Sequence, residues 1–199
     1  MNITFDDKIA LVIGGSSERN TAICLALQEA GCTVLTGVDF DESQRVQSFI
    51  ETVIKQHQRI DFLIHSFPDA TPRSFFEIEP NEWVTLLDTY TSSVFLSCQA
   101  VAPFMARRQQ GVIINISSSA AITGQVSASF AAANSALQSM TRGLARTFQE
   151  HHVRVAGIAT APHTEDVEST AAMTVFLCSE WGKQIVGESL MLEGGKSIG

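Results

Sequence analysis

The sequence predicts an α/β fold: one doubly wound parallel sheet of about six strands between two layers of helices. Three observations carry that expectation. Short runs such as Ile9–Ile13, Ile60–Ile64, Val112–Ile116 and Val153–Ala159 are rich in β-branched residues and apolar at nearly every position. A strand with one wet face alternates in polarity; a strand covered on both faces does not. Stretches of helical length separate the runs, as crossovers between parallel strands require. The first run also ends in Gly14-Gly15-Ser16-Ser17, a turn that leads straight into a helix.

In order, Ile9–Ile13 is the first strand, and the helix after its glycine turn runs from about Asn20 to Ala30. Gly31 closes that helix, glycine being the common residue just past a helix end. Thr33–Thr36 is the second strand. Asp41–Gln56 reads as a helix, with Val46, Phe49, Ile50 and Val53 on one face. After the third strand, Ile60–Ile64, Pro68, Pro72 and Pro80 punctuate a loop. A long helix then spans about Asn81 to Arg108. Strand Val112–Ile116 leads through a loop of small residues into a helix with Ala133, Leu137, Met140, Leu144 and Phe148 at helical spacing. Strand Val153–Ala159, helix Asp166–Trp181 and strand Ser189–Leu192 complete the chain. There is no repeat, linker or low-complexity tract, so residues 1–199 read as one domain.

Composition narrows the function classes. A chain of 199 residues with 45% hydrophobic content can bury a substantial core. No apolar run reaches the ~18 residues of a membrane span. The N-terminus, MNITFDDK, is acidic and has no signal-peptide core, which predicts a cytoplasmic protein. A net charge of -8 argues against nucleic acid or anionic membranes as partners. Cys24, Cys32, Cys98 and Cys178 lie in apolar segments without paired spacing, as buried free thiols do. No CxxC or HxxxH spacing exists, so no metal site is expected.

From Gly111 to Phe148 the order is strand, serine loop and helix. It resembles the active-site block of the short-chain dehydrogenase/reductase family. KIALVIGGSS, RIDFLIHS, HVRVAGIA and GESLMLEGG resemble further landmarks of that family, in the right order and over nearly the whole chain. The resemblance implies a Rossmann-like domain. The chain is roughly 50 residues shorter than family members usually are. One gap falls after the second strand, where Val34–Val38 runs almost at once into DFDESQRVQSFI. The other falls between Thr164 and Glu165, where the family's substrate-covering segment would lie.

The family's cofactor landmarks are altered. Its TGxxxGxG turn reads here with Ile13 for the threonine, Gly14 for the first glycine, and Glu18 and Asn20 for the other two. Glu18 would set a carboxylate near the dinucleotide phosphates, a repulsion of about 1 kcal/mol in water at ~4 Å. Arg19 reads as a solvated side chain. Val38 stands at the acidic ribose-binding position, with Asp39 one residue on. The family's NNAG becomes His65-Ser66-Phe67-Pro68, and its PG after the sixth strand becomes Thr160-Ala161. The expectation is that no cofactor is bound.

The catalytic landmarks are altered as well. The family's tyrosine and lysine positions hold Phe130 and Asn134, and its asparagine position holds Tyr90. Only the serine, Ser118, is retained. Phe130 has no proton to give, and Asn134 has no charge to lower a neighbouring pKa. Tyr90, the sole tyrosine, is either a relocated acid or an aromatic filling a vacated pocket. A Ser118/His65 hydrolase is a further alternative, with His163 after the next strand, although no GxSxG elbow exists.

Val94–Met105 is apolar nearly all round, and Ala131, Ala132 and Ala133 open the later helix. In the family these two helices form a four-helix dimer interface. Here they suit contact with another chain, with Val101 placed in that interface. The resulting expectation is a non-catalytic subunit that stabilises an active NAD(P)-dependent family member, in a heterotetramer or as a homodimer. Its substrate would be an acyl-CoA or similar compound. The alternative is a divergent NAD(P)-dependent oxidoreductase that uses Ser118 and Tyr90.

Overall fold

The computed structural model describes residues 3–37, 43–71, 73–124, 126–162 and 166–195, leaving aside the side chains of residues 43–45. The strands are β1 Ile9–Ile13, β2 Thr33–Gly37, β3 Phe62–Ser66, β4 Gly111–Ser118, β5 Val153–Thr160 and β6 Ser189–Leu192. The helices are α1 Glu18–Glu29, α2 Ser43–His57, α3 Pro80–Leu87, α4 Ser93–Arg108, the short α5 Ala120–Thr123, α6 Ala128–Phe148 and α7 Val167–Cys178. The strands form one sheet in the order β2-β1-β3-β4-β5-β6, all parallel.

Strand periodicity splits the core into two. Leu11, Ile13, Leu63, Ile113 and Val155 point to one face and pack with Ile50 of α2, Val101 of α4 and Leu137 of α6. Their neighbours Ala10, Val12, Ile64, Ile114 and Ile158 point to the other face and meet Ile23 of α1 and Leu177 of α7. A fully buried aliphatic side chain contributes roughly 1.5–3 kcal/mol, so unbroken apolar strands are what two such layers demand. β2 lies at the sheet edge, and Thr33 and Thr36 are exposed there. The six-stranded sheet agrees with the expected count. The two expected gaps, after Val38 and between Thr164 and Glu165, lie outside the described residues.

Several boundaries differ from expectation. β3 runs from Phe62 to Ser66, two residues later than the expected Ile60–Ile64, with the polar side chain of His65 satisfied inside the sheet by its register partner Asn115. β4 likewise reaches Ser118, so the serine ends a strand and does not sit in a loop. α1 begins at Glu18, where the Ser17 hydroxyl accepts from the Asn20 N–H at 3.1 Å and caps the helix. The long helix is not continuous: a π-helical turn, Asp88–Ser92, separates α3 from α4. Hydroxyls there bond the backbone, Thr91 to the Leu87 carbonyl and Ser93 to the Asp88 carbonyl. Such side-chain bonds compete with the regular α ladder. Tyr90 lies within this turn and is buried. The last helix ends at Cys178; Ser179 is extended and its hydroxyl caps a separate turn at Glu180–Gly182.

The apolar face of α4 is not wholly internal. Val101 is completely buried in the core, so its expected place in an interface is wrong. Phe95, half-exposed, and Pro103 instead border a groove of about 480 Å³ between α4 and α6, closed on the far side by Leu144 and Phe148. Among the described residues, no helix is long and apolar enough to cross a membrane.

Candidate functional site

β1, β3, β4 and β5 end together at the carboxyl edge of the sheet, where ligands of doubly wound folds lie. Gly14 is forced on the chain at this edge. Its φ is 134°, and a Cβ there would sit 2.0 Å from the Ser66 carbonyl oxygen. The next landmark, Asn20, is buried, and its amide donates to the carbonyls of Gly15 at 2.8 Å and Ser66 at 2.9 Å. Asparagine thus stitches the glycine turn to the end of β3. Glu18 is exposed in the first turn of α1.

Arg19 departs from expectation. Its guanidinium is mostly buried, bonded to the Asp69 carboxylate at 2.9 Å and to the Phe67 carbonyl at 3.3 Å. The segment after β3 carries an acid and a free carbonyl within reach, so the arginine folds over it and does not extend into solvent. This clasp joins α1 to the loop that contains Phe67 and Pro68. Asp69 was not singled out in the sequence, since a lone aspartate after a proline carries no pattern.

Behind the clasp stands a row of rings. Phe67 lies 6.5 Å from the His65 ring centroid and 5.3 Å from that of Tyr90, and Tyr90 meets Phe130 edge-on at 5.5 Å. Each such pair adds about 0.5–1.5 kcal/mol beyond area burial. The Tyr90 hydroxyl donates to the Pro68 carbonyl. Burial and the Asp69 carboxylate push this phenol further up from its ordinary pKa, with Arg19 opposing.

Ser118 is buried beside this row. Its hydroxyl accepts from the Ala120 N–H at 3.2 Å, and its own N–H donates to Asn134 Oδ1 at 2.8 Å. Asn134 also donates to the Phe130 carbonyl at 3.0 Å, so both ends of its amide are used. Gln138 adds bonds to the Ser117 hydroxyl and the Ser118 carbonyl. These amides hold the β4 end against α6.

His65 belongs to a separate network. Its Nδ1 lies 2.8 Å from Asn115 Oδ1 and its Nε2 lies 2.7 Å from the Ser97 hydroxyl. Asn115 donates onward to Thr141, and Thr141 to the Leu137 carbonyl. That direction makes Nδ1 the protonated nitrogen. Burial pulls the imidazole pKa down to about 4. Both ring nitrogens are taken, neither by Ser118, so the Ser118/His65 hydrolase pair is not assembled. The lone Asn115 within VIINI was the readable signal of a buried polar partner. Val38, Asp39 and His163 lie outside the described residues.

These residues do not fit a nicotinamide dinucleotide. At the turn where the family resemblance puts the pyrophosphate stand the exposed Glu18 and the Asn20 amide, already spent on the Gly15 and Ser66 carbonyls. The nicotinamide side meets Phe67, Pro68 and Tyr90.

The chain belongs to the short chain dehydrogenase family, which matches it over residues 6–174. It is 25% identical over 174 residues to the 3-oxoacyl-(acyl-carrier-protein) reductase FabG of Chlamydia pneumoniae, covering 86% of this chain and 69% of that one. The FabG of Thermotoga maritima is 21% identical over 243 aligned positions, covering 97% and 99%. An alignment longer than this 199-residue chain carries gaps in it, consistent with a shortened member. Sorbitol-6-phosphate 2-dehydrogenase of Klebsiella pneumoniae is 26% identical, covering 86% and 77%. Among solved structures, a short-chain dehydrogenase/reductase from Burkholderia xenovorans superimposes with a TM-score of 0.89 at 22% identity, over 98% of both chains.

Proposed function

We propose that this protein is a non-catalytic family member that assembles with an active NAD(P)-dependent dehydrogenase or reductase of the same family and stabilises it. The observation that carries the reading is Phe130, buried edge-on to Tyr90 at the position of the family's proton donor. The lysine position supports it, since Asn134 spends its amide on the backbone of Ser118 and Phe130. The groove beside Phe95 supplies an apolar surface at the helices through which family members pair. A partner of the reductase class named among the relatives would supply the chemistry, on an acyl thioester or a similar carbonyl compound. Matching helix pairs would suit assembly as a homodimer or a two-plus-two heterotetramer.

The test is to purify an active paralogue from the same source with and without this chain. Co-elution, with raised stability of the paralogue, is the expected outcome. The reading fails if the two never co-elute and the paralogue's assembly and turnover are the same alone.

The relatives' names favour a second reading, a divergent oxidoreductase with Ser118 on the substrate oxygen and Tyr90 as acid. Calorimetry discriminates between the two. Micromolar binding of NAD or NADP to the isolated chain supports this second reading, and Tyr90→Phe then abolishes turnover.

A further inference from the structure

A second concave surface lies at the opposite end of the sheet, where the strands begin. It is a cleft of about 890 Å³ between the starts of β3, β4 and β5 and the turn after α7. Its size lies in the range of small-molecule sites. Its charge runs against that of the chain. One wall is built on Asp61, a buried carboxylate that accepts from the Ile9 N–H at 3.0 Å. Three cations converge on it: Arg59 by a two-pronged contact, Arg108 at 3.4 Å and Lys8 at 3.8 Å. Arg59 also feels Asp7 and does not line the cleft; of the groups that do on this wall, Lys8 and Arg108 outnumber Asp61 by one. Lys8 and Arg108 line the cleft itself.

The facing wall carries Arg154 and Lys183, with Glu180 as the acid among the lining residues there. Arg154 is half-buried, and its Nη2 donates to the Ser179 carbonyl at 3.3 Å. Its Nη1 is buried with no hydrogen-bond partner. Nη1 itself is closed off from the cleft, so an anion there would meet the positive field of the guanidinium together with the exposed ammonium of Lys183. Cations spaced within a Debye length repel one another, and a bound anion relieves that repulsion.

We infer that this cleft binds a small polyanion, a compound bearing two or more phosphate or carboxylate groups, bridged between the Lys8/Arg108 wall and the Arg154/Lys183 wall. The site lies at the far edge of the sheet from the glycine turn. It is therefore independent of whether the chain binds a dinucleotide.

Inorganic pyrophosphate and citrate are the probes, titrated calorimetrically at 0.15 M salt, with Trp181 fluorescence in a Trp83→Phe background as a second signal; Trp181 is exposed on the cleft rim. One-to-one, sub-millimolar binding of either probe is expected. Pyrophosphate alone identifies a site for phosphate groups, citrate alone a polycarboxylate site, and both a site set by charge. Lys183→Gln and Arg108→Gln should each weaken binding at least fivefold, while Lys55→Gln on α2 leaves it unchanged. Should Arg108→Gln unfold the chain through its contact with Asp61, the exposed Lys183→Gln decides. No saturable binding of either probe, or binding that Lys183→Gln leaves intact, overturns the inference.

Discussion

His65 shows how one polar side chain can be placed in an apolar strand. It has no solvent, so each ring nitrogen needs a fixed partner, and Asn115 and Ser97 provide them. The same burial disfavours the charged ring. In the unfolded chain a histidine takes up its proton near pH 6.5, whereas here it waits until about 4. The unfolded state therefore binds more protons between those values, and stability falls as pH drops through that window. The expected loss is roughly 3 kcal/mol by pH 4, read from urea denaturation at successive pH values. NMR of the folded protein should show no His65 titration above pH 5; a titration near 6.5 would contradict the placement. Asn134 obeys the same rule, since its amide exists in that position to hold a buried N–H.

At the scale of elements, the β1–α1 turn is held by contact as much as by conformation. Gly14 needs both a positive φ and the absence of a side chain, because the end of β3 lies against it. Gly14→Ala should lower stability by about 3 kcal/mol or more, since backbone atoms form the obstacle and strain adds to it. A thermal melt and urea unfolding both read this; a change under about 1 kcal/mol would mean that β3 can retreat. The π turn between α3 and α4 is the second device of this kind. Its hydroxyls take over backbone carbonyls, and Tyr90 within it meets Phe67 and Phe130.

Across the whole molecule, two surfaces stand apart from the filled carboxyl edge. One is the polyanion cleft where the strands begin. The other is the apolar groove between α4 and α6, and it carries the assembly prediction. Phe95 is 50% exposed there, so Phe95→Glu should leave the fold and its melting temperature nearly unchanged while shifting size-exclusion elution to the monomer. Val101→Glu would place a charge in the core and unfold the chain, which makes it useless as an interface probe. If Phe95→Glu still co-elutes with the active paralogue, the interface lies elsewhere.

The layered sheet, its parallel order and its count of about six strands were readable along the chain. Such features rest on local periodicity and on strands short enough to announce themselves by continuous apolar runs. The placing of Phe130 and Asn134 at the family's tyrosine and lysine positions rests on spacing within the family pattern alone, and it belongs to the proposed function. The fate of Arg19, His65 and Val101 was not readable along the chain. A charged side chain is solvated or clasped according to what a distant loop presents to it, and Asp69 is 50 residues away. Whether a histidine meets a serine depends on strand register, which paired His65 with Asn115 three positions short of Ser118. Which apolar residue of a helix that is apolar nearly all round faces outward depends on how the helix rolls onto the sheet. These are questions of packing between segments far apart in sequence, and the energies that settle them arise only once the layers have met.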